Sequence, residues 1–190
     1  MKISELTGLI TTEFIQELYR ADLAEAEIVR AAGCPYCGGR LHSASYPRKA
    51  RGLSVELPEV ERRQSFCCAE CRRRSTPKSV RFWGRKVYLA LCLVVAGVLR
   101  GQKATTAQTC SLIAMSAETL RRWTRWWTDS VQRTRWWHAA RAHIMPPLEG
   151  GHFVGALLYR LLAQYAEVRS AIQKLLTFIS PLTVPAQYPS

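Results

Sequence analysis

Cys34-Pro35-Tyr36-Cys37-Gly38-Gly39 opens the stretch of sequence that decides the fold, and Phe66-Cys67-Cys68-Ala69-Glu70-Cys71 closes it. Each end contains a Cys-x-x-Cys motif, which places two thiolates at the tip of a tight turn. Two such motifs about thirty residues apart predict a zinc ribbon, in which four sulfurs hold one Zn²⁺ tetrahedrally at about 2.3 Å. The two glycines of the first motif favour the turn, because glycine adopts positive φ without a steric penalty.

The second motif offers three cysteines, so its two ligands must be chosen. Cys68 and Cys71 have the same two-residue gap as the first motif, and Cys68 shares one side of a strand with Phe66, whereas Cys67 points away. The predicted ligands are Cys34, Cys37, Cys68 and Cys71. Buried or disulfide-bonded cysteines are the alternative, but paired Cys-x-x-Cys spacing without a secretory signal favours a metal. His42 is a competing ligand nearby, and we expect it to be an ordinary loop or strand residue.

Length and composition indicate a folded protein of modest size. The 190 residues are 48% hydrophobic and 22% charged, which suits one domain or two small ones. The first residues lack the pattern of a signal peptide, and the longest apolar run, Leu89 to Leu99, has eleven residues, too few to span a bilayer. We therefore expect a cytoplasmic protein with reduced thiols and no membrane partner.

Basic charge is concentrated in the middle of the chain, whose overall net charge is +13. Residues 33–145 carry twenty-one Lys/Arg against six acids, a net charge of +15, whereas residues 1–32 carry three against six, a net charge of −3. Residues 146–190 carry three against two. A positive field confined to one region beside a zinc ribbon indicates a polyanion binder, with nucleic acid as the first candidate and mere solubility as the alternative.

The expected fold class is α+β, mostly α, with four segments along the chain. These are an N-terminal amphipathic helix (1–32), a zinc ribbon with a basic run (33–81), a helix-turn-helix helical domain (82–145), and a C-terminal helix and tail (146–190). The first helix is predicted from Glu13 to Ala32, where apolar residues recur at three- and four-residue steps, and Gly33 ends it. We expect its acidic face to be solvated, with packing against the basic middle of the chain as the alternative.

Short strands joined by turns are predicted between and after the cysteine motifs. The predicted strands cover residues 40–46, 53–57 and 62–67, with a basic turn at 47–52. A dense basic run then extends from Arg72 to Arg81, and Pro77 argues against a helix there. The predicted phosphate contacts of this run are Arg72, Arg73, Arg74, Lys78 and Arg81.

A helix-turn-helix is predicted after a buried helix that runs from about Arg85 to Arg100 and places Cys92 in the core. Its first helix lies in residues 106–115, the turn is near Ala114, and Ser116 caps the second helix, which extends to Trp127. The inward-facing side chains are predicted to be Cys110, Ile113, Met115, Leu120 and Trp123. Ala114 stands where glycine is common.

The outer side of the second helix carries the predicted base contacts. On this register the outward-facing residues are Ser116, Ala117, Glu118, Arg121, Arg122 and Arg125. Residues at the start of a recognition helix reach base edges in the major groove, and arginine can bind guanine there in a bidentate manner. The alternative is a two-helix hairpin with a solvated arginine face.

Two apolar segments complete the chain. The second helix is predicted to continue to about Ala142, with Trp126, Trp127, Trp136 and Trp137 in the core or in a seam with another helix, and base stacking on them as the alternative. A further helix is predicted over residues 152–179. It needs a partner, either the Trp-rich helix or a second subunit, and the tail from Pro181 is expected to be irregular.

This order of motifs resembles the amino-terminal DNA-binding module of insertion-sequence transposases. The resemblance covers about residues 33–128 and rests on Cys-Pro-x-Cys-Gly, a basic hairpin, Phe-x-Cys-x-x-Cys-Arg-Arg-Arg and the helix-turn-helix. It implies recognition of transposon ends in double-stranded DNA. In that family a ribonuclease H-like domain with three acidic ligands performs the strand chemistry, but this chain has only Asp22 and Asp129 as aspartates and too few residues after the helix-turn-helix. We therefore expect it not to be an enzyme.

Two functions from different classes follow. The first is a zinc-dependent DNA-binding protein of mobile-element origin. The second is an adaptor whose Trp-rich and C-terminal helices bind a protein partner or a second copy of the chain, with secondary binding of nucleic acid that includes RNA. A sequence-selective and salt-steep isotherm on duplex DNA distinguishes the two.

Overall fold

A computed structural model of the chain describes residue 8 and residues 11–48, 50–52, 61–83, 88–144 and 153–184. Helices dominate these residues and the strands are short and antiparallel, so the predicted fold class, α+β and mostly α, is confirmed. None of the described helices is both long and apolar enough to cross a membrane.

The first long helix, α1, spans Thr12–Ala32, close to its predicted bounds. Its N-terminus is capped by the Thr11 side-chain oxygen, which accepts a hydrogen bond from the backbone N–H of Phe14 at 3.3 Å. It ends at Gly33, as predicted, where φ is +78°.

The acidic face of α1 is only partly solvated. Asp22 is buried beneath residues 79–81, and Glu25 pairs with Lys78 at 3.4 Å. The expectation of a solvated face is therefore wrong for Asp22, because its carboxylate is held by donors from the basic run.

The ribbon consists of short antiparallel strands. Their bounds are β1 Leu41–Ser43, β2 Tyr46–Pro47, β3 Arg62–Arg63, β4 Phe66–Cys68 and β5 Arg74–Ser75. One sheet has the order β1-β4-β5, and β2 pairs with β3 in a separate ladder. The predicted strands at 40–46 and 62–67 are thus each divided in two, whereas the predicted strand at 53–57 lies outside the described residues.

A two-stranded hairpin and the central helix follow the ribbon. Strand β6, Phe82–Trp83, pairs with β7, Tyr88–Leu89, and α2 spans Ala90–Gly101. The predicted start of this helix at Arg85 is wrong, because Tyr88 and Leu89 belong to the strand. The helix is buried on nearly all sides and Cys92 is fully buried, as predicted.

The next helices are shorter than the sequence pattern predicts. They are α3 Thr106–Leu112, α4 Ala117–Arg125 and α5 Arg135–Ala140, with a π turn at Trp126–Ser130 and 3-10 turns at Val131–Arg133 and Arg141–His143. The continuous helix to Ala142 is wrong, because Thr134 is extended (ψ 145°) and caps α5 through a hydrogen bond from the N–H of Trp137 at 3.1 Å.

The C-terminal region contains two helices rather than the single one predicted for 152–179. These are α6 Phe153–Gln164 and α7 Val168–Ile179, followed by a 3-10 turn at Ser180–Thr183. The helical conformation is interrupted between them because the backbone of Glu167 is extended, with φ −108° and ψ 131°. The rest of the predicted irregular tail, from residue 185, lies outside the described residues.

The apolar C-terminal helices find their partners within the chain. Helix α6 packs closely on α2. The backbones approach so closely that a Cβ at Gly155 would lie only 2.8 Å from the carbonyl oxygen of Gly97. Helix α7 packs on α6, and Phe178 contacts the ring of Trp136 with centroids 5.3 Å apart. Side chains from α1, α2, α6 and α7 share one main core, and a smaller core lies under the ribbon.

Candidate metal centre and nucleic-acid interface

The first cysteine knuckle begins where α1 ends. The N–H of Cys34 donates to the carbonyl oxygen of Gly39 at 2.9 Å. The N–H of Gly38 donates to the carbonyl oxygen of Cys34 at 2.8 Å. Gly38 has a φ of +73°, a conformation that glycine adopts freely. These bonds fold residues 34–39 into a tight turn that turns both sulfurs to one side.

The second knuckle repeats this geometry with different residues. The N–H of Cys68 donates to the carbonyl oxygen of Arg73 at 3.0 Å, five residues later, as Cys34 does in the first knuckle. Arg72, with a φ of +60°, occupies the position that corresponds to Gly38. Pairing of β1 with β4 aligns Leu41 with Cys68 and brings the two knuckles together.

The two knuckles approach each other too closely for a larger residue at Gly39. A Cβ at Gly39 would lie 2.7 Å from Cγ of Glu70 and 3.1 Å from Sγ of Cys68. The second glycine of Cys-Pro-Tyr-Cys-Gly-Gly is therefore needed for the approach between knuckles rather than for positive φ.

Four sulfurs meet between the knuckles. The Sγ atoms of the four predicted ligands lie within 4.8 Å of one another, with Cys34 to Cys71 at 3.6 Å and Cys37 to Cys68 at 3.5 Å. These distances are far longer than the roughly 2.05 Å of a disulfide. They approach the roughly 3.8 Å that separates sulfurs around a tetrahedral ion with 2.3 Å bonds. The predicted set forms a candidate metal site compatible with zinc.

Cys67 is not part of this cluster. Its Sγ lies 3.6 Å from the carbonyl oxygen of Arg72, and its thiol is partly exposed. Cys68 is buried on the opposite side of β4, beside Phe66, so it is Cys68 and not Cys67 that joins the four-sulfur cluster, as predicted. His42 is exposed opposite Cys67 in the sheet and lies outside the cluster, as expected.

The charges of the thiols also favour a shared cation. Burial raises the pKa of Cys68, but hydrogen bonds from the backbone N–H groups of Cys71 and Glu70 and from the Cys37 and Cys71 thiols outweigh it and lower the pKa to about 7. A backbone hydrogen bond at Arg73 lowers the pKa of Cys71, whereas burial and the three neighbouring sulfurs raise it to about 12. Because the sulfurs lie close together, one thiolate disfavours ionisation of the neighbouring thiols. A bound cation would offset this repulsion, and a thiol that binds a metal is deprotonated.

The basic run divides into an exposed and a buried part. Arg72, Arg73 and Arg74 are exposed: the first two lie in the second knuckle, and Arg74 begins β5, the outer strand of the sheet. Lys78 is partly exposed and pairs with Glu25. The predicted phosphate contacts at these four positions remain predictions.

The predicted phosphate contact at Arg81 is wrong. Its side chain is buried, its Nε donates to Asp22 at 2.8 Å, and its Nη2 donates to the carbonyl oxygen of Arg62 at 2.8 Å. Burial lowers the pKa of Arg81, whereas the adjacent Asp22 raises it. Arg81 is committed to the interior and is not available to a phosphate.

Two tyrosines contact the exposed arginines, and the sequence pattern did not predict these contacts. The guanidinium carbon of Arg73 lies 4.7 Å from the ring centroid of Tyr36, and that of Arg74 lies 5.5 Å from Tyr46. Arg48 also lies over Tyr46, at 4.8 Å. The sequence does show tyrosines close to a basic hairpin, but which arginine contacts which tyrosine depends on how the sheet folds.

The helix-turn-helix forms in the predicted register. Ile113, Met115 and Leu120 are buried in the main core, and Ala114 makes the turn with a φ of +46°. The Ser116 side chain caps α4 by accepting a hydrogen bond from the N–H of Thr119 at 3.3 Å.

The outward-facing side chains of α4 are exposed to solvent. The exposed residues among those predicted to contact nucleic acid are Ser116, Glu118, Arg121, Arg122 and Arg125. Within the described parts of the chain, the three arginines make no ion pair. Their contact with DNA remains a prediction.

The tryptophans around α4 are packed into the protein. Trp127 is buried, and Trp126, Trp136 and Trp137 are partly buried against the main core, as the core interpretation predicts. Trp83 stacks on Trp127 with centroids 5.2 Å apart and planes 22° apart. The π turn that follows α4 thus packs on β6, next to the helix that carries the exposed arginines.

Compared with protein-family models, with curated proteins and with solved structures, the chain matches none of them.

Proposed function

We propose that this chain is a zinc-dependent protein that binds double-stranded DNA and is associated with mobile elements. It docks α4 in a major groove and contacts phosphates with the exposed arginines of the ribbon. The observation that carries the proposal is the exposed face of α4, where Arg121, Arg122 and Arg125 lie on a capped helix after a tight turn, without acidic partners among the described residues.

The position of these arginines on α4 supports base reading. Helix-turn-helix proteins place the N-terminal part of the second helix against base edges. Arg121 lies at the middle of α4, Arg122 follows it, and Arg125 lies one turn after Arg121 at the end of the helix. Arginine is the side chain that most often binds guanine specifically, through O6 and N7.

Zn²⁺ is the metal that we propose for the four cysteines. Four thiolates with near-tetrahedral separations favour Zn²⁺ or iron, and a closed four-cysteine site is typical of structural zinc. The ion would tie the end of α1 to the β1-β4-β5 sheet and would hold Arg72, Arg73 and Arg74 in place beside the second knuckle.

The association with mobile elements rests on the resemblance of residues 33–128 to transposase DNA-binding modules. Within this proposal the chain has no strand-cleaving activity. Incubation with supercoiled plasmid and Mg²⁺ or Mn²⁺ tests that part, and cleavage that copurifies with the chain would contradict it.

An adaptor role is the less supported function. It rests on the apolar Trp-rich and C-terminal helices, and these pack against α2 and against each other in this chain. DNA binding retains an exposed candidate surface, which is the reason we prefer it.

The proposal is tested by selecting a preferred site from random duplexes with the full chain. Titration of that site and of a scrambled duplex at several salt concentrations should give tighter binding to the selected site and a steep fall in affinity with salt for both. Removal of the metal by a chelator should abolish selective binding. Failure to enrich any sequence, together with affinity that does not depend on salt, would contradict the proposal.

A further inference from the structure

Two tyrosine–arginine stacks lie on the exposed side of the ribbon. Tyr36, in the first knuckle, is 45% exposed and lies under the guanidinium of Arg73. Tyr46, in β2, lies under Arg74 and also under Arg48, whose Nη2 donates to the Tyr46 hydroxyl at 3.1 Å. We call these five residues the tyrosine–arginine surface.

Stacking leaves the donors of an arginine unused. A guanidinium that rests on a ring contacts it through its flat face, while its N–H groups point outward in the plane. Within the described residues, the side chains of Arg73 and Arg74 make no hydrogen bond and no ion pair. Their planar donors are therefore available, and planar donors match the oxygens of a phosphate.

The local charge also favours an anion. Arg72, Arg73 and Arg74 are consecutive and exposed, and Arg48 approaches Arg74 across the same ring. Repulsion among these cations is only partly offset by the two rings, because an exposed cation–π contact is weak. A run of phosphates compensates such a row better than a single anion does.

We propose that Tyr36 and Tyr46 are positioning residues that hold Arg73 and Arg74 ready to bind successive phosphates of a DNA backbone. The inference rests on the proposed function and adds to it two uncharged residues that contribute to affinity. Because each ring carries a guanidinium group on it, we expect the tyrosines to act through the arginines rather than by stacking on bases.

A double-mutant cycle on the full chain tests this, with affinity for a scrambled duplex as the readout. Tyr36→Leu should weaken binding by about two- to fivefold, while Tyr36→Phe, which keeps the ring, should bind like the unsubstituted protein. The slope of log K against log salt should stay unchanged in both, because no charge is removed. In an Arg73→Ala background, Tyr36→Leu should have no further effect. The Tyr46 and Arg74 pair should behave in the same way when Arg48→Ala is present in every member of its cycle, because Arg48 also lies over the Tyr46 ring and donates to its hydroxyl.

Tyr159→Leu is the matched control, since Tyr159 is 41% exposed and contacts no described guanidinium. Metal content is measured for each variant, and if Tyr36→Leu loses metal the cycle on Tyr46 and Arg74 decides.

Three outcomes would contradict the inference. An equal loss from Tyr→Leu with and without the arginine overturns the inference, as does a larger loss on single-stranded DNA than on duplex, which would indicate base stacking. If the unsubstituted chain shows no salt-dependent binding of DNA, the proposed function fails, and this inference fails with it.

Discussion

The carboxylate of Asp22 lies 2.8 Å from Nε of Arg81, and both side chains are at most 2% exposed. The same carboxylate accepts hydrogen bonds from the Ser79 hydroxyl at 2.6 Å and from the N–H of Val80 at 2.8 Å. This buried pair locks α1 onto the segment that connects the ribbon to β6. The N-terminal helix is therefore part of the structure that presents the basic run.

Asp22→Asn should destabilise the protein by about 3 to 5 kcal/mol, because it leaves the buried Arg81 cation without its counter-charge. Urea unfolding at neutral pH measures the free energy of unfolding. Glu27→Gln is the matched control: Glu27 lies on the same helix in an exposed pair with Arg30, and its loss should cost no more than about 1 kcal/mol. A cost for Asp22→Asn as small as that of the control would show that the pair does not hold α1.

The metal ligands can be tested one cysteine at a time. Cys37→Ser should remove the metal and unfold the ribbon, because structural Zn²⁺ sites contribute about 10 to 16 kcal/mol of apparent binding free energy to folding. Cys67→Ser, Cys92→Ser and Cys110→Ser should each keep one metal per chain. Elemental analysis of the purified variants decides, and a metal lost with Cys67→Ser but kept with Cys37→Ser would overturn the ligand set.

Thiol alkylation of the native protein gives an independent check. Burial raises the pKa of Cys92 to about 12, so at pH 8 it is protonated as well as enclosed, and we expect no modification. Cys67 and Cys110 are partly exposed and should react, while the four ligands should react only after chelation. Mass spectrometry of the labelled peptides measures this, and early labelling of Cys92 would contradict the packing of α2.

The local features of the fold could be predicted from the sequence. The Cys-x-x-Cys spacing identified the four sulfurs, and the preference for Cys68 followed from the alternation of side chains along β4. The helix-turn-helix followed from the cap at Ser116 and the apolar residues at 113, 115 and 120. Each of these signals lies within a few residues of the feature it determines.

The long-range features could not be predicted, because they depend on contacts far apart in the chain. Asp22 and Arg81 are 59 residues apart, and nothing near either one marks it as a buried ion. The apolar pattern also continues across Thr134 and Glu167, where the helices break, so periodicity alone joined helices that the backbone separates. The stack of Arg73 on Tyr36 likewise exists only once the knuckles meet.

Ala114 offers a test of the turn between α3 and α4. A non-glycine residue with a φ of +46° carries a steric cost of about 1 to 2 kcal/mol. Glycine removes that cost and loses part of the gain to its larger chain entropy, so Ala114→Gly should stabilise the protein by about 1 kcal/mol or less. Ala114→Val should destabilise it, because a β-branched side chain tolerates this conformation poorly. Thermal unfolding of both variants measures the difference, and stabilisation by valine would contradict the turn geometry.

The central claim is that α4 reads bases while the ribbon contacts phosphates, and one comparison tests it most directly. Arg121→Ala and Arg73→Ala are each titrated on the selected site and on a scrambled duplex at several salt concentrations. Arg121→Ala should cost about 1 to 3 kcal/mol on the selected site and much less on the scrambled one, because a bidentate contact requires the right base. Arg73→Ala should weaken binding to both duplexes similarly and flatten the slope of log K against log salt by about 0.9. Equal losses on the two duplexes from Arg121→Ala would contradict the claim that α4 reads the sequence through this residue.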